Sequence, residues 1–340
     1  MGKRFEIINE EEKIVNKTYD EYVVSERWKK YRSEDYFEYR RKWYDNPANM
    51  IVGDFPIHLD VEITNFCNLG CPMCPRTVQI KEGIFGKVEH IDFNLFKKLI
   101  DEGAENGLCS VKFNYLGEPL MHPRVAEMVK YCKDRGILDV MFNTNGVLLK
   151  EKMSYDLLEA GIDGIFISFD SVKKEEYESI RVGAKFEDVV NNVKQFTRIR
   201  NSNEKFFGTQ IRISKILLPT ESEQDLLDYI KFWEDHVDVI GFGSLLDLEG
   251  SHEMPYNPKY RCDQPWQRLF VRQDGIIFPC CIDSKKNYVL GNAFQESIRE
   301  VWNGEKLNSL RKAHKCGRYN EIGMCKNCEY LCGISIKVSE

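Results

Sequence analysis

The chain has 340 residues, of which 42% are hydrophobic and 30% charged, a composition that excludes collagen-like and disordered proteins. Its net charge of −6 includes no basic block, which disfavours nucleic acid as a partner, and no apolar run approaches the ~20 residues that span a membrane. The first residues lack the apolar core of a secretory signal, so we expect a cytoplasmic protein. The length predicts one large domain and a smaller unit.

Residues 1–50 are charged and aromatic and show no strand alternation. We expect a helical N-terminal extension of one or two surface helices that packs against the body of the protein.

Strand-like and helix-like segments alternate through residues 51–243. Strands that alternate with helices of 10–15 residues predict βαβ units and a parallel sheet. The six predicted strands cover residues 57–64, 111–117, 138–146, 164–171, 209–218 and 237–243.

Each central strand has one apolar and one polar face, because successive residues point to opposite sides. An open sheet with helices on both faces should instead have near-continuous apolar runs. We therefore predict an α/β fold, a partial (β/α)6 TIM-like barrel whose polar face lines a wet functional cavity; a buried polar network without a ligand is the alternative. The polar face carries His58, Asp60, Glu62, Lys112, Asn114, Asn143, Ser168, Asp170, Arg212 and Ser214.

The alternation of strands and helices stops after residue 243. Residues 244–340 form the predicted smaller unit, with a β-hairpin over 269–281 that turns at Asp274–Gly275 and a helical stretch over 296–315. The unit ends in a cysteine-rich loop.

The chain contains 12 cysteines, and in a reducing cytosol clustered thiols more often hold metal or perform chemistry than form disulfides. Cys109 and Cys132 stand apart and are interpreted as small buried hydrophobic residues. The others fall into two groups, within residues 67–74 and 262–332.

The first group is Cys67, Cys71 and Cys74, directly after the first predicted strand. A loop at the carboxyl end of a barrel strand faces the mouth where active sites are built. Structural zinc normally takes four ligands, so a zinc site would need a distant residue such as His90 or His122. A [4Fe–4S] cluster with three thiolates and one open iron is the favoured interpretation, while zinc and purely structural cysteines stay open.

This C-x3-C-x2-C motif after the first strand of a six-unit βα domain resembles the radical S-adenosylmethionine (SAM) superfamily. The resemblance implies that the open iron binds the amino and carboxylate groups of SAM. Reductive cleavage then gives methionine and a 5′-deoxyadenosyl radical, which takes a hydrogen atom from the substrate. A reducing partner such as flavodoxin or ferredoxin is also implied.

Other segments of the barrel extend the resemblance. Leu116-Gly117-Glu118-Pro119 is similar to the family's Gly-Gly-Glu stretch, which meets the SAM amino group, although the first glycine is replaced. Segments 143–146 and 168–171 are similar to those near the SAM ribose and methionine. The cofactor-binding residues implied in this way are Met73, Gly117, Glu118, Asn143, Asn145, Ser168 and Arg212.

The second group contains Cys280 at the end of the predicted hairpin and a chelating Cys325-x2-Cys328 loop, and by spacing alone a zinc ribbon fits equally well. The region also resembles the SPASM/twitch extension of radical SAM enzymes, whose C-x(9–15)-G-x4-C element is matched by Cys262, Gly275 and Cys280. The shorter twitch version is favoured, with one auxiliary [4Fe–4S] cluster on Cys262, Cys280, Cys325 and Cys328. Cys281, Cys316 and Cys332 are left over, so a second cluster, or Cys281 in place of Cys280, stays open.

The implied chemistry is hydrogen abstraction followed by loss of an electron to the auxiliary cluster and of a proton to a base. The candidate catalytic residues are Arg212, Asp170 and Glu62, and Asp60 and Lys112 also face inward. Twitch relatives include a dehydrogenase of an aminocyclitol, so we expect oxidation of a small sugar-like or aminocyclitol alcohol. The alternatives are a peptide- or protein-modifying enzyme and a non-enzymatic iron–sulfur or zinc-binding protein.

Overall fold

A computed structural model describes residues 4–8, 19–218, 221–244, 256–284, 288–328 and 335–339. The strands are β1 (Arg4–Ile8), β2 (Tyr19–Val23), β3 (His58–Val61), β4 (Ser110–Phe113), β5 (Asp139–Thr144), β6 (Gly164–Ser168), β7 (Gln210–Leu217), β8 (Val239–Ser244), β9 (Arg268–Val271), β10 (Ile276–Phe278), β11 (Gly291–Asn292) and β12 (Ser335–Ser339).

The helices are α1 (Glu34–Ala48), α2 (Pro75–Lys81), α3 (Phe93–Glu105), α4 (Val125–Asp134), α5 (Glu151–Glu159), α6 (Lys174–Ile180), α7 (Phe186–Ser202), α8 (Glu223–Trp233), α9 (Ile298–Asn303), α10 (Glu305–Lys315) and α11 (Gly323–Lys326). Short 3₁₀ helices cover Arg27–Tyr31, Pro119–Met121, Glu204–Phe206, Gln264–Trp266 and Tyr319–Glu321. None of the described helices is both long and apolar enough to cross a membrane.

Strands β3 to β8 pair side by side in chain order, and all five pairings are parallel. Helices lie between successive strands in the chain, which confirms the predicted α/β fold and its partial (β/α)6 barrel. The apolar face of these strands, including Leu59, Val111, Phe142 and Ile165, is fully buried in the main hydrophobic core. The polar face points the other way, into the barrel.

Helix ends follow local capping chemistry. Asp92 accepts hydrogen bonds from the backbone N–H groups of Asn94 and Leu95 at the start of α3. Ser222 and Asp225 form a reciprocal capping box at the start of α8. These caps fix where the helices begin and therefore how they pack on the sheet.

The sheet continues beyond the barrel at both edges, in the order β11-β10-β9-β3-β4-β5-β6-β7-β8-β2. Strand β9 lies parallel to β3, and β10 returns antiparallel to β9 after a turn in which Gly275 has a φ of +80°. The predicted hairpin is thus confirmed. It adjoins the same strand that leads into the first cysteine loop.

The prediction for the N-terminal extension is wrong in part. Helix α1 is present, but β2 pairs antiparallel with β8, and β1 pairs antiparallel with β12. Strand formation in β2 comes from the open edge of the barrel sheet, a tertiary effect that the alternation of its own residues does not show.

Two helical predictions also needed correction. The stretch predicted over 296–315 divides at Gly304, whose extended backbone separates α9 from α10. Helix α2, directly after Cys74, was missed because its seven residues are too few to show a periodic pattern.

A buried ion pair joins α7 to the start of β8. The Nη1 atom of Arg200 lies 2.9 Å from Oδ2 of Asp238 and 2.9 Å from the Thr209 carbonyl oxygen. The same Asp238 oxygen accepts a hydrogen bond from the Ile211 N–H. Both side chains are almost completely buried.

We expect the substitution Asp238→Ala to lower the free energy of unfolding by about 3–5 kcal/mol, because it leaves the buried Arg200 charge without its partner. Chemical denaturation measures this loss. The control is Asp156→Ala, which removes an exposed pair with Lys152 and should cost less than about 0.5 kcal/mol. Equal losses in the two variants would contradict the assigned role of the buried pair.

Candidate active site

The first cysteine loop follows β3 at the carboxyl end of the barrel. Cys67 and Cys74 are half-buried, Cys71 is buried, and every described cysteine is a free thiol. Burial raises the pKa of Cys67 to about 11 and raises that of Cys71, and in both cases the charge of Cys74 acts in the same direction. A cationic centre reverses this effect, since coordinated thiols are deprotonated. Two half-buried thiols and one buried thiol in one short loop, with the charge of Cys74 disfavouring the anions of the other two, fit an iron–sulfur cluster.

Neighbouring loops hold this cysteine loop in place. The Gly70 N–H donates to the Val182 carbonyl oxygen at 2.9 Å. The Asn145 side-chain amide donates to Oδ1 of Asn68 at 2.9 Å. Gly183 has a φ of +102° and passes close to the Asn68 carbonyl. The loop is therefore fixed by the segments that follow α6 and β5.

Arg181 was missed by sequence reasoning and lies beside Cys71. Its Nε donates to Oδ2 of Asp170, and its side chain also hydrogen-bonds to the Cys71 thiol. The other oxygen of Asp170 accepts from the Ile216 N–H at 3.0 Å. The predicted catalytic residue Asp170 is thus close to the cysteines but has both oxygens occupied. A single arginine after a short helix carries no motif that could have revealed it.

Gly117 lies against the backbone of the first cysteine loop. A Cβ atom at this position would be 1.9 Å from the Thr64 carbonyl oxygen, so only glycine fits without a backbone shift. The next residue, Glu118, donates its N–H to the Phe66 carbonyl oxygen at 2.7 Å. The loops after β3 and β4 are therefore in direct contact.

The Glu118 carboxylate is buried and joins a third loop to this contact. It accepts hydrogen bonds from Oγ1 of Thr144 and from the Asn145 N–H, both at 2.7 Å, and from the Leu120 N–H at 3.1 Å. Burial nevertheless raises its pKa. The carboxylate is occupied by groups of its own chain and positions the loops that follow β4 and β5.

Glu62 directly follows β3 and contacts the loop after β4. Its Oε1 accepts a hydrogen bond from the Leu116 N–H at 3.0 Å, and its Oε2 lies 3.7 Å from Nε of Arg272. Burial raises its pKa to about 8, so the side chain is mostly protonated at neutral pH. This predicted catalytic residue is ready to donate, and not to accept, a proton.

The other predicted SAM-binding residues collect around the same end of the barrel. Asn143 donates to Oδ1 of Asn114 at 3.1 Å, at the end of β5. Ser168 is the last residue of β6 and pairs in register with Ser214. Met73 is half-buried and packs on the hydrophobic core. These residues lie with the cysteine loop, while their individual roles stay predictions.

Arg212 is the exception, because it does not reach this end of the barrel. Its Nη1 lies 2.6 Å from Oε1 of Glu21 on β2, and its guanidinium sits 5.3 Å from the Phe166 ring centroid. The alternation of side chains along β7 correctly predicted that Arg212 lies on the inner face of the barrel. It does not predict how far along the barrel axis the residue lies.

Arg212 lines a cavity of about 410 Å³ inside the barrel. Residues of the N-terminal extension, such as Trp28 and Trp43, line its outer part, and inner-face residues line the rest. These inner-face residues are His58, Lys112, Asp139, Met141, Phe166, Gln210, Arg212, Val239 and Arg268.

The cavity occupies the amino-terminal half of the barrel, since five of its lining residues are the first residues of their strands, and its upper wall faces the end that carries the first cysteine loop. Lys112, Met141, Phe166 and Arg212 each lie two residues before a position near that end, namely Asn114, Asn143, Ser168 and Ser214. Two residues along a strand span about 6.6 Å and return to the same face. The cavity thus lies one side-chain level below the predicted SAM-binding residues.

A second cysteine site lies in the C-terminal unit. Cys262, Cys280, Cys325 and Cys328 line one narrow cavity, closed by residues such as Leu310 and His314. Burial and then the charges of Cys328 and Cys325 raise the pKa of Cys262 strongly, so these thiols face one another. The structure brings together all four predicted auxiliary ligands, and their chemistry fits an iron–sulfur cluster.

The remaining cysteines lie elsewhere. A hydrogen bond with Cys280 lowers the pKa of Cys281, which also responds to the charges of Arg268, Asp60 and Lys112 in the barrel. Cys316 is exposed, and Cys332 is outside the described residues. Cys132 is fully buried as predicted, whereas Cys109 is only half-buried, which corrects the prediction for it.

The two histidines considered as a fourth zinc ligand pack against each other. The ring centroids of His90 and His122 are 4.8 Å apart, and Nδ1 of His90 lies 2.8 Å from Oγ1 of Thr64. Within the described ranges, no group of three or more His, Cys, Asp or Glu side chains is arranged to hold a single metal ion.

Two family models match the chain. The radical SAM superfamily matches residues 61–232, about half of the sequence, and an iron–sulfur cluster-binding domain, SPASM, matches residues 262–329. The chain is 27% identical over 226 residues to a GTP 3′,8-cyclase of Limosilactobacillus fermentum, covering 66% of this chain and 61% of that protein. It is 25% identical over 306 residues to a tungsten-containing aldehyde ferredoxin oxidoreductase cofactor-modifying protein of Pyrococcus furiosus, covering 75% and 83%.

Solved structures share the fold. BtrN in complex with AdoMet and 2-DOIA has a TM-score of 0.54 at 21% identity, covering 80% of this chain and 92% of BtrN. Native anSMEcpe with bound AdoMet and Cp18Cys peptide has a TM-score of 0.56 at 16% identity, covering 82% and 88%. At these identities the likeness concerns the fold alone.

We expect Gly117→Ala to destabilise the protein by about 2–4 kcal/mol and to reduce iron incorporation at the first cysteine loop, because the new methyl group overlaps the Thr64 backbone. Thermal unfolding and iron content measure the effect. Gly70→Ala is the control, since a Cβ there meets no atom within 4 Å. If both variants are equally stable and take up equal iron, the close contact does not matter.

Proposed function

The chain belongs to the radical SAM superfamily and carries a C-terminal SPASM domain, and from this membership we propose that it oxidises a small sugar-like alcohol. Its cofactors are a SAM-binding [4Fe–4S] cluster, auxiliary iron–sulfur clusters and SAM. When bound, the reduced SAM-binding cluster and SAM would supply the hydrogen-atom abstractor, and the oxidised auxiliary cluster would supply the electron acceptor. We propose the twitch arrangement, with one auxiliary cluster.

The proposed ligands follow from the two thiol sites. Cys67, Cys71 and Cys74 hold the SAM-binding cluster, and Cys262, Cys280, Cys325 and Cys328 hold the auxiliary cluster. Arg181 supports the first set through its hydrogen bond to the Cys71 thiol. Glu118 acts as a positioning residue for the SAM-binding loops, because its own chain already occupies its carboxylate.

The observation that carries the proposal is the cavity inside the barrel. Its volume of about 410 Å³ falls within the range of small-molecule sites. It lies one side-chain level below the predicted SAM-binding residues, and Lys112 on its wall interacts with Cys281, the neighbour of Cys280 in the chain. We propose that a substrate binds at the upper wall of the cavity, between Lys112 and the predicted SAM-binding residues.

Alcohol oxidation releases one hydrogen atom, one electron and one proton and leaves a carbonyl group. Of the three predicted catalytic residues, only Arg212 lines the cavity. We propose that the Glu21 carboxylate, which pairs with the Arg212 guanidinium, is the base that accepts the proton. Glu62 and Asp170 then act by positioning, since Glu62 is mostly protonated and Asp170 is bonded to Arg181 and Ile216.

Peptide modification is the second candidate, supported by the fold likeness to peptide-bound anSMEcpe. Aromatic residues of the N-terminal extension line the outer part of the cavity, which favours a small molecule over a chain. A third candidate is radical cyclisation of a phosphorylated molecule, because some relatives are named GTP 3′,8-cyclases. Product masses separate the three, because oxidation lowers the mass of a small alcohol by two hydrogens.

We expect the anaerobically reconstituted protein to hold about eight irons and eight sulfides per chain and, when reduced, to convert SAM to 5′-deoxyadenosine. Cys71→Ala should keep about four irons and lose all SAM cleavage. The matched variant Cys325→Ala should retain SAM cleavage and lose substrate oxidation. Zinc without sulfide, or SAM consumed without 5′-deoxyadenosine, would contradict the proposal.

A further inference from the structure

We infer that the barrel cavity holds its substrate by an anionic group, a carboxylate or a phosphate, which binds to the ammonium group of Lys112. This inference rests on the proposed function, because it names the substrate class of the same cavity. It concerns binding, and so it is testable without turnover.

Lys112 is the central observation. It lies on the inner face of β4 and lines the cavity, with its Nζ atom 4.9 Å from the Phe166 ring centroid. Within the described part of the chain it has no hydrogen bond and no ion pair. Burial, with the charges of Arg212 and Arg268, lowers its pKa to about 8, while Asp60 acts in the opposite direction. The half-buried ammonium group therefore has an aromatic contact but no anionic partner among the described residues.

The other lining cations of the barrel wall already have carboxylate partners. Arg212 pairs with Glu21 at 2.6 Å, and Arg268 pairs with Asp60 at 3.2 Å. Although burial raises the pKa of Asp60, His58, Arg268 and Lys112 together lower it to about 2, so Asp60 is charged. Among the carboxylates of the described residues, Glu21 and Asp60 therefore pair with the two arginines, and Lys112 forms an ion pair with neither of them.

A second lining cation points to the same conclusion. Arg40 of α1 stacks on Tyr39, Trp43 and Tyr44 and donates to the Tyr44 hydroxyl at 3.2 Å, but among the described residues no carboxylate lies within ion-pair distance of it. The remaining lining acids are committed elsewhere, since Glu26 pairs with Lys29 and Asp139 faces Arg32 at 3.6 Å.

This charge pattern selects among small polar alcohols. An amine substrate would bring a further positive charge next to Lys112, which has no ion-pair partner among the described residues. A carboxylate or phosphate neutralises the Lys112 charge and gains charge-assisted hydrogen bonds. The aromatic rings of Phe166 and Trp43 provide apolar walls for the carbon skeleton. We therefore place the substrate among sugar acids or sugar phosphates, and not among aminocyclitols.

The test compares four probes with one carbon skeleton. Calorimetric titration of the reconstituted, SAM-loaded protein uses glucose 6-phosphate and gluconate as anions, glucose as the neutral probe and glucosamine as the cation. We expect at least one anion to bind about tenfold or more tightly than glucose, and glucosamine to bind most weakly. The order of the two anions distinguishes a phosphate from a carboxylate substrate.

Variants assign the effect to one residue. Lys112→Gln should weaken binding of the preferred anion by about tenfold to a hundredfold and leave glucose unchanged, and Lys112→Arg should restore part of the loss. The control Lys215→Gln removes a second lysine whose pKa is lowered to about 8, which lies outside the cavity beside Glu221, and should leave anion binding unchanged.

Three results would overturn the inference: no binding of either anion, equal or tighter binding of glucose or glucosamine, or unchanged anion binding in Lys112→Gln. SAM cleavage by the reduced wild-type protein is measured separately. If cleavage occurs without anion selectivity, the inference fails and the proposed function stands. If the anions bind but SAM is not cleaved, the proposed function fails instead.

Discussion

The loops at the carboxyl end of the barrel, where SAM is proposed to bind, are held together by the contact between Gly117 and the Thr64 carbonyl oxygen. The contact fixes the loop after β4 against the loop after β3, just before the first cysteines. Glu118 then extends it to the loop after β5 through hydrogen bonds to Thr144 and Asn145. Three loops from neighbouring parallel strands are thereby held as one surface, which pre-organises the groups around a cofactor.

The continuous sheet relates this surface to the second thiol site. Because β9 pairs with β3, the hairpin that carries Cys280 and Cys281 stands beside the strand that leads to Cys67. Cys280 turns toward the other C-terminal thiols, and Cys281 interacts with charged residues of the barrel. On the polar inner face, Lys112 and Arg268 are close enough to Cys281 for their charges to act on it, which links the barrel interior to the second thiol site.

The sequence was informative where a pattern repeats or a spacing is specific. Period-two alternation predicted the barrel strands and their polar face, and the resemblance to the SPASM/twitch element selected the four thiols that share one cavity. Alternation predicts the face on which a residue lies but not its position along the barrel axis. Arg212 was therefore grouped with the predicted SAM-binding residues, although it pairs with Glu21 on β2. Strand β2 and Arg181 depend on partners distant in sequence, and such pairings leave no local signal.

The central claim is that two chemically different iron–sulfur sites exist, and that only the one on Cys67, Cys71 and Cys74 binds SAM. Electron paramagnetic resonance of the reduced protein, recorded with and without SAM, tests it most directly. We predict that SAM changes the signal of one cluster and that this signal is absent from Cys71→Ala, whose remaining signal is insensitive to SAM. A SAM-sensitive signal that persists in Cys71→Ala would contradict the account.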